Sequence, residues 1–286
     1  MIKEEYVLNA EKNVRLVRMG HSPSPEMPYR DRRPAVVVCP GGGYFICSDR
    51  EADPVALRFL AEGYQVFVLY YRLNADAAFP GPLLDLCGAM KFIREHAEEF
   101  GVIPEKIAVC GFSAGGHLAA SLGVYWNAPN IREASGCLQG ENRPDALILG
   151  YPVISTSWIE NDGSLPRLIG QGDYEETYRR LNLHTAVSAD TPQCFLAHTV
   201  RDPIVPVEDS IRFASALIQA GVPCELHIFP NGDHGLSLSN GEVCPDGGDP
   251  SFAQWTELAA RWLRRKWEHP QEAGRPLNKA RYSSRL

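Results

Sequence analysis

The chain has 286 residues, of which 44% are hydrophobic and 22% are charged, and its formal net charge is -7. This apolar content excludes a disordered or collagen-like polymer, and the acidic balance disfavours a nucleic-acid-binding protein. The N-terminal sequence contains no apolar segment of the signal-peptide kind. The longest uncharged stretch, 107–131, is interrupted by glycine, serine and histidine, so we expect no membrane span.

Eight cysteines are spread along the chain without a CxxC pair, so the sequence predicts neither a redox motif nor a zinc ribbon. Most of them lie in apolar runs, which is typical of buried free thiols in a reducing compartment. Together with the missing export signal, this pattern predicts a cytoplasmic protein that uses no metal and no cofactor.

From residue 33 onward, short apolar runs alternate with longer amphipathic stretches. This pattern is typical of an α/β fold, in which helices cover both faces of a mostly parallel sheet. We expect strands at 35–39, 65–71, 106–111, 145–151, 193–198 and 224–229. We expect helices at 53–63, 86–101, 114–126, 207–220 and 251–267, the first with Asp53 as its N-cap.

Two regions depart from this alternation. Residues 1–32 are predicted to form an antiparallel lead-in at the sheet edge, and residues 155–190 are predicted to form a cap-like insert. We therefore expect a single domain over residues 1–267. The polar tail at 268–286 is either frayed or docked on a partner subunit, which would make a homodimer.

The sequence Gly-Phe-Ser-Ala-Gly at 111–115 is a GxSxG motif between a predicted strand and a predicted helix. In that place the glycines permit a tight turn that exposes the serine hydroxyl at the N-terminus of the helix. Ser113 is therefore the candidate nucleophile. The same residues also fit a plain glycine-rich turn in which the serine caps the helix.

A glycine-rich segment, Pro-Gly-Gly-Gly-Tyr at 40–44, follows the first strand of the predicted parallel sheet. Fixed N–H groups in such a loop can stabilise the oxyanion that forms during acyl transfer. We interpret the amides of Gly42, Gly43 and Ala114 as an oxyanion hole. A phosphate-binding loop would need a following Lys-Ser/Thr pair, which is missing here, and an ordinary turn is the other alternative.

A serine hydroxyl needs a histidine as base, and the histidine needs a carboxylate that fixes its tautomer. His234 lies in a glycine-flanked loop after the last predicted strand, and Asp202 follows the strand before it. Both therefore fall at strand ends, in the chain order Ser, Asp, His. Asp233 is a rival carboxylate, although adjacent side chains seldom point at each other. Each residue also fits a plain role in a turn or a surface loop.

Aromatic and charged residues near these motifs have less specific interpretations. Arg72 and Asp85 flank a proline- and glycine-rich turn, and we expect them to form a structural ion pair. Several aromatic side chains could form the walls of a pocket for a sugar or an acyl group, although aromatics are as typical of a core. These candidate substrate-binding residues are Tyr44, Phe45, Tyr151 and Trp158.

The motif blocks read VVVCPGGGYFICSDRE, GYQVFVLYYRL, FPGPLLDL, KIAVCGFSAGGHLAASLG, HTVRDPIVP and NGDHGL, and they span about residues 35–240. They resemble the α/β-hydrolase family and, within it, the esterase/lipase branch related to bacterial acetyl xylan esterases and feruloyl-type carbohydrate esterases. The resemblance implies a nucleophile, its two partners and an oxyanion hole. These are Ser113, Asp202 and His234, and the amides of Gly42, Gly43 and Ala114.

Two positions depart from the family pattern. Pro40 stands where the HGGG motif has histidine. The acid block reads HTVRD, so the glycine that often lies between its histidine and its aspartate is replaced. The first departure weakens the link to the HGGG lipases, whereas the second leaves the position of the acid readable.

The resemblance implies a serine carboxylesterase that removes short acyl groups, chiefly acetyl, from carbohydrate esters such as acetylated xylo- and manno-oligosaccharides. The expected partner is a small ester, with no nucleic acid or membrane. Two alternatives stay open: an amide hydrolase of the same fold, such as an arylformamidase or a peptidase, and a non-catalytic binding protein. An esterase of this kind should gain activity as its histidine loses a proton near neutral pH.

Overall fold

The structure is a computed structural model, and it describes residues 1–156, 168–170 and 173–268. Within these residues one mostly parallel sheet forms the centre of the molecule. Its strands are β1 (Ile2–Asn9), β2 (Val14–Gly20), β3 (Arg33–Cys39), β4 (Gln65–Tyr70), β5 (Val102–Phe112), β6 (Ala146–Gly150), β7 (Cys194–Thr199) and β8 (Cys224–Phe229). The strand order is β1-β2-β4-β3-β5-β6-β7-β8.

Helices cover both faces of the sheet, as the alternating sequence pattern predicts. They are α1 (Asp53–Ala61), α2 (Gly81–Glu95), α3 (Ala97–Phe100), α4 (Ser113–Tyr125), α5 (Pro129–Ser135), α6 (Tyr174–Arg180), α7 (Glu208–Ala220) and α8 (Trp255–Glu268). Among the residues that the structure describes, no helix has both the length and the apolar character needed to cross a membrane.

Strands β3 to β7 are mostly buried on both faces, which explains why they are apolar at successive positions, whereas the parallel edge strand β8 is only partly buried. In β3, Val37 packs into one hydrophobic cluster, whereas Val36 and Val38 pack into the cluster on the opposite face. The antiparallel pairing of β1 with β2 and of β2 with β4 confirms the predicted lead-in at the sheet edge.

Local details differ from the sequence prediction at several places. Helix α5 was not predicted, and the helix expected at 251–267 begins only at Trp255, after a 3-10 helix at Phe252–Gln254. Strand β5 begins at Val102 rather than at 106, because Val102 pairs with Arg33 across an irregularity in β3. The helix expected at 86–101 begins earlier, at Gly81, and is interrupted at His96, where the backbone leaves helical geometry. Asp53 is not an N-cap, since a 3-10 helix leads directly into α1 and Asp53 is already helical.

Part of the predicted insert and nearly all of the predicted tail lie outside the described residues. Within the insert, the structure describes α6 and a 3-10 helix at Leu183–Ala186. Residues 157–167 and 171–172 of the insert, and residues 269–286 of the tail, are not described.

Strand direction determines where the functional site forms. Strands β3, β5, β6, β7 and β8 run parallel, so their carboxyl ends meet at one edge of the sheet. The residues that follow these ends include the glycine segment at 40–44, Ser113, Asp202 and His234. The fold therefore brings the sequence-predicted site residues to a common edge.

Candidate active site

Ser113 lies at the junction of β5 and α4 with a backbone φ of 51°. A positive φ is strained for a serine, and in this place it is typical of the sharp turn that presents a nucleophile. Gly115 lets the helix approach β3 closely, because a Cβ there would collide with the carbonyl oxygens of Cys39 and Pro40. The turn therefore places Ser113 directly beside the end of β3.

A continuous chain of hydrogen bonds joins the three predicted side chains. Ser113 Oγ lies 2.8 Å from His234 Nε2, and His234 Nδ1 lies 2.7 Å from Asp202 Oδ2. An ionised carboxylate can only accept, so the proton between His234 and Asp202 belongs to Nδ1. Nε2 is then the acceptor for the Ser113 hydroxyl proton, as a general base requires.

Asp202 is held as an anion by the groups around it. Burial alone would raise the pKa of Asp202, but hydrogen bonds from His198 and His234 hold its pKa well below the usual range. The backbone N–H groups of Ile204 and Val205 both donate to Oδ1 at 2.9 Å. Asp202 therefore stays charged at any pH at which the histidine acts as a base.

His198 is a part of this site that the sequence analysis did not single out. Its Nε2 lies 3.3 Å from Asp202 Oδ2 and 3.0 Å from the carbonyl oxygen of Val205, so it donates to both. Its Nδ1 accepts from Ser210 Oγ at 2.8 Å. The available signal was the HTVRD block, in which the histidine precedes the aspartate by four residues at the end of a strand.

The rival carboxylate is not part of this chain. Asp233 is exposed, whereas the Asp202 side chain is 1% exposed and faces His234. Burial also raises the pKa of the Cys39 and Cys110 thiols, which keeps them protonated and unreactive at the ends of β3 and β5. Ser113 is therefore the nucleophile that the geometry favours.

The glycine segment follows β3 and turns back on itself. The carbonyl oxygen of Gly42 accepts from the N–H groups of Phe45 at 2.9 Å and Ile46 at 3.2 Å, which closes a tight turn around Gly43. Ala114 is the second residue of α4, so its N–H has no acceptor within the helix. The three amides proposed for an oxyanion hole therefore belong to this turn and to the first turn of α4.

Two tyrosine hydroxyl groups fix the glycine segment to the rest of the fold. Tyr71 donates to the carbonyl oxygen of Pro40 at 2.6 Å, and the Tyr44 hydroxyl lies 2.9 Å from His117 Nδ1. Burial lowers the pKa of His117 to about 4, so its imidazole is neutral at physiological pH. The segment is thus attached both to the sheet and to α4.

The structure corrects the predicted aromatic walls. Tyr44 and Tyr151 are 3% and 1% exposed, so neither ring faces a substrate. Tyr151 instead packs edge-on against the His234 ring, with 5.1 Å between ring centroids. Phe45 is 38% exposed beside the glycine turn, and Trp158 lies outside the described residues. The two buried tyrosines therefore pack against His117 and His234 and do not line a pocket.

The predicted ion pair between Arg72 and Asp85 is confirmed. Arg72 Nη2 donates to Asp85 Oδ1 at 2.6 Å and Arg72 Nε donates to Oδ2 at 2.8 Å, which gives a two-point contact. Asp85 also accepts from the backbone N–H of Arg72 at 3.0 Å. The pair fixes the end of β4 to α2 and has a structural role.

The described residues contain no group of three or more His, Cys, Asp or Glu side chains placed to hold a metal ion. The profile of the BD-FAE family matches residues 25–217, which is more than half of the chain. The chain belongs to the BD-FAE family. An acetylxylan esterase of Xylanibacter ruminicola is 31% identical to this BD-FAE chain over 211 residues, which make up 71% of the chain and 41% of the esterase. The chain thus spans less than half of that relative.

Two solved structures are similar to this BD-FAE protein over nearly its whole length. The α/β hydrolase MGS-M1, from a Medee basin deep-sea metagenome library, is 34% identical with a TM-score of 0.76, covering 93% of this chain and 97% of its own. An acetyl ester-xyloside bifunctional hydrolase from Caldicellulosiruptor lactoaceticus is 35% identical with a TM-score of 0.73, covering 92% and 90%. These likenesses confirm the predicted α/β-hydrolase fold and its esterase/lipase branch.

Proposed function

We propose that this BD-FAE protein is a serine carboxylesterase that removes acetyl groups from sugar hydroxyls by way of an acyl-enzyme. The observation that carries the proposal is the hydrogen-bond chain from Ser113 through His234 to Asp202. The distance of 2.8 Å from Ser113 Oγ to His234 Nε2 lets the histidine take the serine proton. The contact of 2.7 Å from His234 Nδ1 to Asp202 keeps the imidazole proton on Nδ1, as nucleophilic attack by the serine requires.

The first half of the reaction forms the acyl-enzyme. Ser113 Oγ forms a bond to the ester carbonyl carbon while its proton passes to His234 Nε2. The carbonyl oxygen becomes an oxyanion, which the N–H groups of Gly42, Gly43 and Ala114 stabilise. The intermediate then collapses, the bond to the sugar oxygen breaks, and His234 returns the proton to that oxygen.

The second half releases the acyl group. Water attacks the acyl carbon while His234 Nε2 takes its proton, and the bond to Ser113 Oγ breaks as that oxygen is protonated again. The product is a carboxylic acid and the enzyme is restored. Asp202 stays ionised throughout and stabilises the imidazolium that forms in each half.

The sugar substrate is supported by what the relatives are described as acting on. One is described as an acetylxylan esterase and another as an acetyl ester-xyloside hydrolase. Acetylated xylo-oligosaccharides are therefore the substrates that these relatives support, and we propose acetylated manno-oligosaccharides beside them as sugar esters of the same kind.

A reducing, cytoplasmic compartment is the proposed location. All eight cysteines lie within the described residues and all are free, and six of them are buried. Unpaired buried thiols are usual where glutathione and thioredoxin keep proteins reduced.

The proposal is tested by Ser113→Ala, assayed with a chromogenic acetate ester. We expect kcat to fall by at least about a thousandfold, because the nucleophile is removed while the rest of the site stays in place. Ser121→Ala is the matched control, since Ser121 is a buried serine on the same helix and should leave turnover unchanged. Equal turnover in the two variants would contradict the proposal.

The same pair of variants tests the substrate class. Release of acetate from acetylated xylo- and manno-oligosaccharides, followed by mass spectrometry, should depend on Ser113 in the same way. A matched ester and amide in the same assay separate an esterase from an amide hydrolase. Preference for the amide would overturn the proposed reaction but would leave the serine mechanism intact.

A further inference from the structure

Glu51 is a buried carboxyl group at the active-site edge of the sheet, and the mechanism above does not use it. It belongs to the 3-10 helix Asp49–Glu51 and is 3% exposed. A carboxyl group is seldom buried so completely unless it is paired, because removing its charge from water is costly. Its neighbours therefore show what it does.

Both oxygens of Glu51 accept hydrogen bonds from parts of the site. Oε2 lies 2.7 Å from the backbone nitrogen of Gly41, and Oε1 lies 2.7 Å from the hydroxyl of Tyr151. The Tyr151 hydroxyl oxygen in turn accepts from the backbone N–H of Ser237 at 2.9 Å. The ionised carboxylate is the form that satisfies all of these donors.

These contacts join the two loops that the reaction needs. Gly41 precedes the two glycines of the proposed oxyanion hole, and Ser237 lies three residues beyond His234. Tyr151, the residue between them, also packs against the His234 ring. Glu51 therefore bridges the oxyanion side and the histidine side of the site.

Glu51 lies so close to the glycine segment that position 41 has no room for a side chain. A Cβ on Gly41 would lie 2.7 Å from Glu51 Oε2 and 2.8 Å from the carbonyl oxygen of Phe112. Phe112 directly precedes Ser113, so the segment is packed between Glu51 and the nucleophile turn. The position of the carboxylate thereby sets the distance between the glycine amides and Ser113.

We propose that Glu51 is a positioning residue of the esterase reaction, whose carboxylate holds the glycine segment and, through Tyr151, the His234 loop in register with Ser113. This inference rests on the proposed esterase function. It assigns Glu51 a place in the preorganisation of the oxyanion hole, which is effective only when its donors are fixed before the charge develops.

The energetic state of Glu51 agrees with this role. Burial raises the pKa of Glu51, although the hydrogen bonds from Tyr151 and Gly41 and the nearby His234 and Arg50 act in the opposite direction. A carboxyl group with a raised pKa favours the folded state most at low pH, and that contribution is lost as pH rises through the raised value. The buried carboxyl group thus costs the fold stability as pH rises, which is typical of a group that serves a functional site.

The test is Glu51→Gln, which keeps the shape of the side chain, removes its charge and can accept from only one of the two donors. We expect kcat for a small acetate ester to fall about 10- to 100-fold, while KM changes less than about twofold. Affinity for a trifluoromethyl ketone, which forms a tetrahedral oxyanion on Ser113, should fall by the same factor as kcat. The Tm should shift by no more than about 4 °C.

Two further variants make the experiment decisive. Glu133→Gln is the matched control, since Glu133 is exposed on α5 and should leave every measured value unchanged. Tyr151→Phe removes the hydroxyl that links Glu51 to the His234 loop, so it should also lower kcat. The effects of Glu51→Gln and Tyr151→Phe should not add in the double variant, because both break one bridge.

The outcomes separate this inference from the function on which it rests. An unchanged kcat in Glu51→Gln, a loss confined to KM, or additive effects of the two variants would overturn the role of Glu51 while Ser113→Ala remains inactive. If Ser113→Ala retains turnover, the serine mechanism itself is wrong. If the Glu51→Gln variant fails to fold, the Tyr151→Phe variant decides. An unchanged kcat in Tyr151→Phe would then overturn the inference.

Discussion

The position of one proton decides whether His234 can act as a base. Oδ2 of Asp202 accepts hydrogen bonds from His234 Nδ1 at 2.7 Å and from His198 Nε2 at 3.3 Å. Its other oxygen accepts two backbone N–H groups. With every lone pair directed at a donor, the carboxylate neither rotates nor takes up a proton, so the tautomer of His234 is fixed.

Replacing this carboxylate by an amide should disable the base while preserving the shape of the site. In Asp202→Asn the amide can present N–H to His234, which favours the tautomer with its proton on Nε2. We expect kcat for an acetate ester to fall by about a thousandfold to ten-thousandfold.

The adjacent residue offers a matched control for this change. Asp233→Asn removes an exposed carboxylate next to His234, and we expect turnover within about twofold of the unmodified enzyme. A large loss of turnover in Asp233→Asn together with a small one in Asp202→Asn would show that Asp233, not Asp202, is the carboxylate that serves His234.

His117 joins helix α4 to the glycine segment. His117 lies one turn after Ser113 on the buried side of α4, and its Nδ1 faces the Tyr44 hydroxyl at 2.9 Å. Tyr44 ends the glycine segment and has a φ of 60°. The turn at Ser113 and the glycine segment are thus connected through one neutral imidazole.

This connection should make the fold sensitive to acid. Burial lowers the pKa of His117 from 6.5 to about 4, so between these values the unfolded chain binds a proton that the folded chain does not. The stability that neutral His117 provides is complete above pH 6.5 and is lost as pH falls through about 4. Linkage puts this loss at roughly 3 kcal/mol.

Urea unfolding of the enzyme and of His117→Asn between pH 7 and pH 4 measures this loss. The variant lacks the titrating group, so the difference in unfolding free energy between the two proteins should narrow as pH falls. Parallel stability curves would show that another group causes the acid sensitivity.

For the molecule as a whole, the sequence predicted the strands and the three side chains at their ends, but not the buried residues that hold these side chains in place. Ser113, Asp202 and His234 could be found because each follows an apolar run at a strand end, and parallel strands bring such ends together. The strand expected at 224–229 coincides with β8, whose sequence is likewise a short run rich in apolar residues.

The supporting residues were hidden because burial in three dimensions decides their role. Glu51 lies in the polar stretch SDRE, which is typical of an exposed turn, and only the packed fold shows that it is 3% exposed. Tyr44 lies in the glycine-rich segment and Tyr151 ends a predicted strand, and neither position shows that the hydroxyl group finds a buried partner. His198 ends an apolar run in the sequence, and it contacts Asp202 only because the chain turns back after β7.

The most direct measurement is the identification of the residue that becomes acylated. The enzyme is treated with a carbamate ester, whose carbamoyl-enzyme hydrolyses slowly, and is then digested and examined by mass spectrometry. We expect one carbamoyl group on the peptide that contains Ser113, and no label in Ser113→Ala. Label on another residue, or full inactivation with Ser113 unmodified, would contradict the serine esterase mechanism.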